Sequence, residues 1–373
     1  MRITEFLKDP LFSLPTIQPP RQDFKQFTFR QLDNFIDKLE AALQQDSHFE
    51  DLGHYPLHRI LERQRHLSEK LKETLNAYYN GKPAEAFKHL NDGLVSNLKD
   101  FNDVLNIKDF LTGENFYRIR CYKENFPIAI EDFFHIPFEK RGLVKTQRFS
   151  IPGFPSLYLG SSIYLCWEEL NRPNINEFQA VRVRNTSDLR ILDLSPPNMY
   201  VRSDGLYDYL MIWPLVMCCS VKVRNQDDTF KPEYIIPQLL LQWVREMSGI
   251  DGIAYQTTHM DFRTTLSRGD FINIVLPVKD NKSRGLCDSL KEKFEMTNST
   301  SIQLSQCSTG AGTYLYNTDE ILSLNRRATL IEIIQGHASH YGDSVLGELE
   351  RTLNHMPLLR IGFQAENEQH DNN

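Results

Sequence analysis

The apolar residues of this chain change their period once, and that change limits the fold more than any other feature. In the first quarter they recur every three or four positions, as on the buried stripe of a helix. Leu32, Phe35, Ile36, Leu39 and Leu43 follow Thr28 and Gln31, a pair spaced as a capping box. A second stripe (Ile60, Leu61, Leu67, Leu71, Leu75, Tyr78) runs from about Leu57 to Tyr79 and stops at Gly81-Lys82-Pro83. Pro83 opens a third, with Phe87, Leu90, Leu94 and Leu98. Three such helices on short loops predict an all-α antiparallel bundle over residues 20–105. From Phe116 the apolar residues gather instead in short runs broken by Gly and Pro, which predicts strands near Phe116–Arg120, Leu157–Gly160, Phe178–Arg184, Leu189–Leu194, Gly252–Tyr255, Phe271–Leu276 and Ser301–Gln306. Helices are expected between them at about Ser162–Asn171, Tyr207–Ser220 and Pro237–Ser248. Strands with segregated helices make an α+β unit over residues 112–320. Ile321, Leu322, Leu330, Ile331, Ile334, Leu346, Leu349 and Leu353 then return to helical spacing, so residues 321–373 read as C-terminal helices and a polar tail from Gln364.

Charge and composition narrow the function classes. Lys and Arg number 42 against 49 Asp and Glu, a formal charge of -7, so the basic excess on which phosphate-backbone binding relies is missing and nucleic acid is not an expected partner. The six cysteines have no metal-ligand spacing and fit a reducing cytoplasm. His54 and His58 are interrupted by Pro56, which argues against a helical metal site, and Gly310-Ala311-Gly312 has no Lys-Ser/Thr after it, so it reads as a turn. Charges near Met1 stand where a signal peptide would need an apolar stretch, so none is expected. The most apolar segment, Leu210 to Cys219, contains Pro214 and is far shorter than the roughly 20 residues of a spanning helix, so no membrane passage is expected.

The chemistry concentrates in one block. Arg148 enters the turn Phe149-Ser150-Ile151-Pro152-Gly153, a short strand carries Tyr158, and a serine-capped segment Ser162-Ile163-Tyr164-Leu165-Cys166-Trp167-Glu168-Glu169 brings two carboxylates. Upstream, alternation places Phe116, Arg118 and Arg120 on one strand face and Tyr117 and Ile119 on the other. Taken singly, these residues also read as surface arginines, a solvated acidic pair and core aromatics.

Taken in order, they resemble the RES domain, named for an Arg, a Glu and a Ser. The resemblance is carried by Arg118, the Arg148 turn, Tyr158, Cys166-x-x-Glu169 eleven residues beyond that tyrosine, and Gly252-Ile253-Ala254-Tyr255-Gln256-Thr257 ahead of Phe271-Ile272-Asn273-Ile274-Val275. It implies an ADP-ribosyltransferase-like fold and a cytoplasmic bacterial enzyme that breaks the nicotinamide–ribose bond of NAD. NAD is then a substrate, with no cofactor or metal, and the activity is that of a toxin in growth control or phage defence, held by a separately encoded antitoxin. Arg118 and Arg148 would bind NAD, since guanidinium forks suit phosphate oxygens. Glu169 would stabilise the positive charge left on the ribose, with Glu168 the alternative if the register slips by one. Tyr158 would stack or donate a hydrogen bond. Ser150 stands where Asn is commoner, and Thr257 where a serine is expected, with Thr258 next in line. The same fold could instead transfer ADP-ribose to a protein, or persist as a non-catalytic interaction module. Arg59 and His66 fit the loose Arg-x(4–6)-His pattern of HEPN ribonucleases, which are helical bundles too, but Ile60 stands where a polar residue is usual, so a structural or dimerising bundle is expected.

Overall fold

The computed structural model describes residues 1–52, 55–95, 105–197, 203–308 and 328–362. Four helices come first: α1 (Ile3–Phe6), α2 (Phe24–Gln45), α3 (Leu57–Tyr79) and α4 (Pro83–Val95). Then follow β1 (Ile107–Phe110), β2 (Asn115–Cys121), β3 (Ser156–Gly160), α5 (Ile163–Glu169), β4 (Phe178–Asn185), β5 (Leu189–Asp193), α6 (Ser203–Cys219) and α7 (Ile235–Glu246). The chain continues through β6 (Gly252–Gln256), β7 (Arg268–Gly269), β8 (Ile272–Pro277), α8 (Asp288–Lys291), β9 (Phe294–Thr297) and α9 (Ile302–Ser308). It closes with β10 (Ala328–Ile334), β11 (His337–His340), α10 (Val345–His355) and β12 (Leu358–Arg360). Leu98, His54, Gly310-Ala311-Gly312, Ile321, Leu322 and the polar tail lie outside the described residues.

This is the expected α+β architecture with helices in front, and α3 matches its stripe from end to end. Local departures have local causes. Helix α2 starts ahead of the expected capping box, because Phe24 and Phe27 extend the buried stripe upstream and Asp23 accepts from the Gln26 N–H at 2.9 Å. Thr28 is therefore interior, fully buried, with its hydroxyl donating to the Phe24 carbonyl. Residues 301–306, expected as a strand, form α9, with the Ser301 hydroxyl accepting from the Leu304 N–H at 3.1 Å. Leu330, Ile331 and Ile334, expected on a helix, lie in the β10–β11 hairpin, whose Thr329, Ile331, Ile333 and Ile334 are β-branched. Among the described residues after 320, α-helix is confined to α10.

The described strands form a mixed nine-stranded sheet in the order β1-β5-β6-β8-β3-β2-β4-β9-β12 and a small one, β11-β10-β7. Among the described strands only β5 and β6 pair in parallel. Gly252 is required where β6 meets β8, since a Cβ there would sit 2.5 Å from the Val275 carbonyl oxygen. Strand β2 pairs with β4 along seven residues but with β3 only at Tyr117 and Gly160. The sheet thus parts between β2 and β3.

The N-terminal helices do not have a core of their own. Their stripes run into α6 and α7 and onto Ile253 and Val275 of the sheet as one continuous cluster. From Tyr209 to Cys219 helix α6 is buried throughout because the N-terminal helices and α7 pack around it, and α7 in turn lies on β6 and β8. Polar contacts mark the same seam: Gln64 donates to the Met211 carbonyl at 2.9 Å and the Trp243 indole to Asn91 at 3.2 Å. The boundary expected near residue 105 therefore divides the sequence without dividing the core. At the other end, the buried Glu350 carboxylate of α10 accepts from the Ile163 N–H at 3.0 Å, and Arg172 just past α5 donates to the carbonyls of Glu332 and Ile333 at 2.8 and 2.7 Å. The C-terminal unit thus fixes both ends of α5. No helix among the described residues is long and apolar enough to cross a membrane.

Candidate active site

Where β2 and β3 part, a cavity of about 560 Å³ opens, within the range typical of small-molecule sites. Its walls include Arg118, Arg148, Tyr158, Glu169, Tyr255 and Asn273. Four of the five residues singled out from the sequence therefore meet at one cavity, and the fifth, Thr257, does not.

Arg118 sits on β2 at the split. Its Nη1 donates to the Tyr158 carbonyl across the gap at 3.4 Å, and no described carboxylate pairs with it. Burial, reinforced by Arg120 nearby, pulls its pKa down to about 10. A half-buried guanidinium in that state gains from an anion. Arg120, expected on the same face, does not line the cavity.

Arg148 is placed differently. It is 7% exposed, its Nη1 donates to the Cys219 carbonyl at 2.9 Å, and its Nη2 donates to the Val221 carbonyl at 2.9 Å and the Thr258 hydroxyl at 3.0 Å. Two of those acceptors are the carbonyls at and just past the end of α6, which have no partner inside the helix. The guanidinium also lies over the Tyr234 ring at 5.4 Å. Its fork is spent on holding the end of α6 against the cavity.

The adjacent carboxylates point to different surroundings. Glu168 is buried away from the cavity in a forked pair with Arg172, four residues on, at 2.8 to 3.1 Å. Glu169, at the last turn of α5, lines the cavity; its Oε1 accepts from Asn273 Nδ2 at 2.6 Å and its Oε2 lies 3.6 Å from His259 Nε2. No arginine or lysine neutralises it among the described residues.

Tyr158 and Tyr255 present rings to the cavity with their phenols pushed well up, chiefly by burial and further by the Glu169 charge; Tyr234 is raised by burial while Arg148 partly offsets it. All three stay protonated. Cys166 also lines the cavity, but burial pushes its thiol up to about 12 and it donates to the Tyr117 carbonyl, so it is no nucleophile.

Thr257 is 1% exposed, and its hydroxyl accepts from the His259 N–H at 3.1 Å. That bond makes it the first residue of a turn, which aims Thr258 and His259 at the cavity instead. Of the two threonines it is Thr258 whose hydroxyl is at the cavity, where it accepts from Arg148. No pattern in the sequence gives a role to His259, Asn273, Tyr234 or Lys222; Asn273 falls within the β8 segment of the RES resemblance, and Tyr255 within the β6 one, without roles. Arg59 and His66 lie on α3, outside the cavity, and no group of three or more metal-ligating side chains occurs among the described residues.

Residues 115–278, the stretch that contains this cavity, match the RES domain family, and the chain belongs to that family. Among its relatives is a protein of Bacillus subtilis (strain 168) named "Putative toxin YopC", 32% identical over 311 residues, which cover 77% of this chain and 67% of that protein. No solved structure matches the chain significantly.

Proposed function

We propose that this protein is a RES-type toxin that consumes NAD by cleaving its nicotinamide–ribose bond. The observation that carries the reading is Glu169: a carboxylate fixed by Asn273 in an aromatic-walled cavity, with His259 at 3.6 Å and no arginine or lysine paired to it among the described residues, beside an arginine that no described carboxylate pairs. In the cleavage the bond from the ribose C1′ to the pyridinium nitrogen breaks and its electron pair leaves with neutral nicotinamide. The oxocarbenium-like ribose that remains is stabilised by the Glu169 carboxylate, and the oxygen of water, whose proton is released to solvent, or of inorganic phosphate bonds to C1′ to give ADP-ribose or its phosphate. Arg118 meets the diphosphate, and the protonated tyrosines supply faces for stacking and donors for ribose or phosphate oxygens. Arg148 positions this wall through the end of α6. The similarity to a protein named as a toxin supports the cellular role, and a separately encoded antitoxin that blocks the cavity is the partner such a role calls for. The test is incubation of the purified protein with NAD while free nicotinamide is followed; release supports the reading, and its absence at high enzyme concentration overturns it.

A further inference from the structure

One of the cavity residues that belong to no motif is a lysine. Lys222 follows α6 in the connector that runs to α7, is half-buried, and lines the cavity. No described carboxylate lies within ion-pair distance of its ammonium, and no described acceptor takes a hydrogen bond from it. Asp261 is close enough to feel its charge, but that carboxylate is already held by the Arg263 fork at 2.9 and 3.0 Å. The other cations at the cavity contrast with it. Arg148 makes three hydrogen bonds, and Lys231 donates to the Asp228 carbonyl and lies 6.0 Å over the Tyr234 ring. Arg118 and Lys222 are thus the two lysine or arginine charges of the described cavity left without a strong partner.

The backbone around Lys222 is unusually well fixed for a connector. Its N–H donates to the Thr16 carbonyl at 2.9 Å, the Thr16 N–H donates to the Ser220 carbonyl at 3.1 Å, and the Arg148 fork holds the carbonyls of Cys219 and Val221. Arg224 extends the seam by donating to the carbonyls of Pro19 and Gln22 at 2.7 and 2.9 Å. A flexible ammonium held half out of water and unpaired is costly unless an anion completes it.

We infer that Lys222 is a second phosphate-binding group of the cavity, which meets a diphosphate together with Arg118 and selects a diphosphate-bridged dinucleotide over its phosphate-free nucleoside. The inference deepens the proposed function and rests on it for the identity of the dinucleotide. It also gives the N-terminal segment a role: residues 16–22 hold the connector that places the charge.

The experiment measures binding of inorganic pyrophosphate and of ADP-ribose by calorimetry to wild type, Lys222→Ala and Lys222→Arg, beside nicotinamide release from NAD and from nicotinamide riboside. Lys222→Ala should weaken pyrophosphate and ADP-ribose by about tenfold, the effect of removing one charge-assisted hydrogen bond, while Lys222→Arg stays near wild type. In turnover the same substitution should raise KM for NAD with kcat nearly unchanged, and leave nicotinamide riboside unaffected. Wild type that binds neither anion, or equal binding by wild type and Lys222→Ala, overturns the inference whatever the turnover shows. Lys222-dependent binding without nicotinamide release from NAD keeps the anion site and overturns the proposed reaction instead.

Discussion

Arg118 and Arg148 line one cavity, yet the first makes a single hydrogen bond at 3.4 Å and the second makes three at 3.0 Å or less. The difference extends to the walls that carry them. On the strand side, β2, β3, β8 and the end of α5 present Arg118, Tyr158, Asn273 and Glu169 with bonding capacity to spare. On the helix side, the end of α6 and its connector are bound inward, to Arg148, to residues 16–22 and through α6 to the N-terminal helices. A site needs both: groups held in place but unsatisfied, and a frame whose own polar groups are fully paired so that it does not collapse into the gap. The adjacent carboxylates repeat the lesson within two residues, since Glu168 is locked to Arg172 while Glu169 faces the cavity with no arginine or lysine on it among the described residues.

The most severe test of the frame is to remove half of its core. The helices described within residues 20–105 bury their stripes against α6 and α7, so that segment in isolation should show no cooperative helical melt by circular dichroism. A sharp transition from it would mean that the helix side is an appended domain and the comparison of walls is misdrawn. Next comes Arg148→Met, which leaves two carbonyls and a hydroxyl without their donor and should cost about 3 kcal/mol or more in chemical denaturation. Arg118→Met should cost less than about 1 kcal/mol, because it removes a buried charge with little to lose, while weakening NAD binding. Equal destabilisation by the two would erase the distinction.

Smaller effects sharpen it. Glu168→Gln breaks a forked pair whose arginine is 39% exposed, so solvent screening holds the loss to about 1 kcal/mol, with nicotinamide release unchanged. Thr257→Val removes the acceptor for the His259 N–H and should cost at most about 1 kcal/mol, with Thr257→Ser nearly silent. If Thr257→Ser were the more damaging of the two, the methyl group and not the hydroxyl would be what the turn uses.

Legibility in the sequence follows the range of the forces involved. The stripe of α3 and the strands β2, β3, β4 and β8 are readable because periodicity and breakers are local, and Glu169 is readable because its distance from Tyr158 spans one tight strand-to-helix turn. Residues 301–306 mislead because apolar and polar residues alternate there, and a single capping serine decides for helix. The role of Arg148 is not readable at all, since its acceptors lie about 70 residues downstream at a helix end. Thr257 illustrates a third case: which of two adjacent threonines faces the cavity depends on a side-chain-to-backbone bond that no spacing reveals. Lys222 carries no pattern and stands out only because no described group pairs with its ammonium.

The claim that the strand side holds the chemistry is tested most directly by nicotinamide release from NAD by wild type, Glu169→Gln and Glu168→Gln, side by side, with folding checked by circular dichroism. Removing one transition-state charge interaction predicts that Glu169→Gln folds normally and falls by about 10²-fold or more, while Glu168→Gln keeps wild-type turnover. Full activity in Glu169→Gln, or a larger loss in Glu168→Gln with its fold intact, would contradict the account.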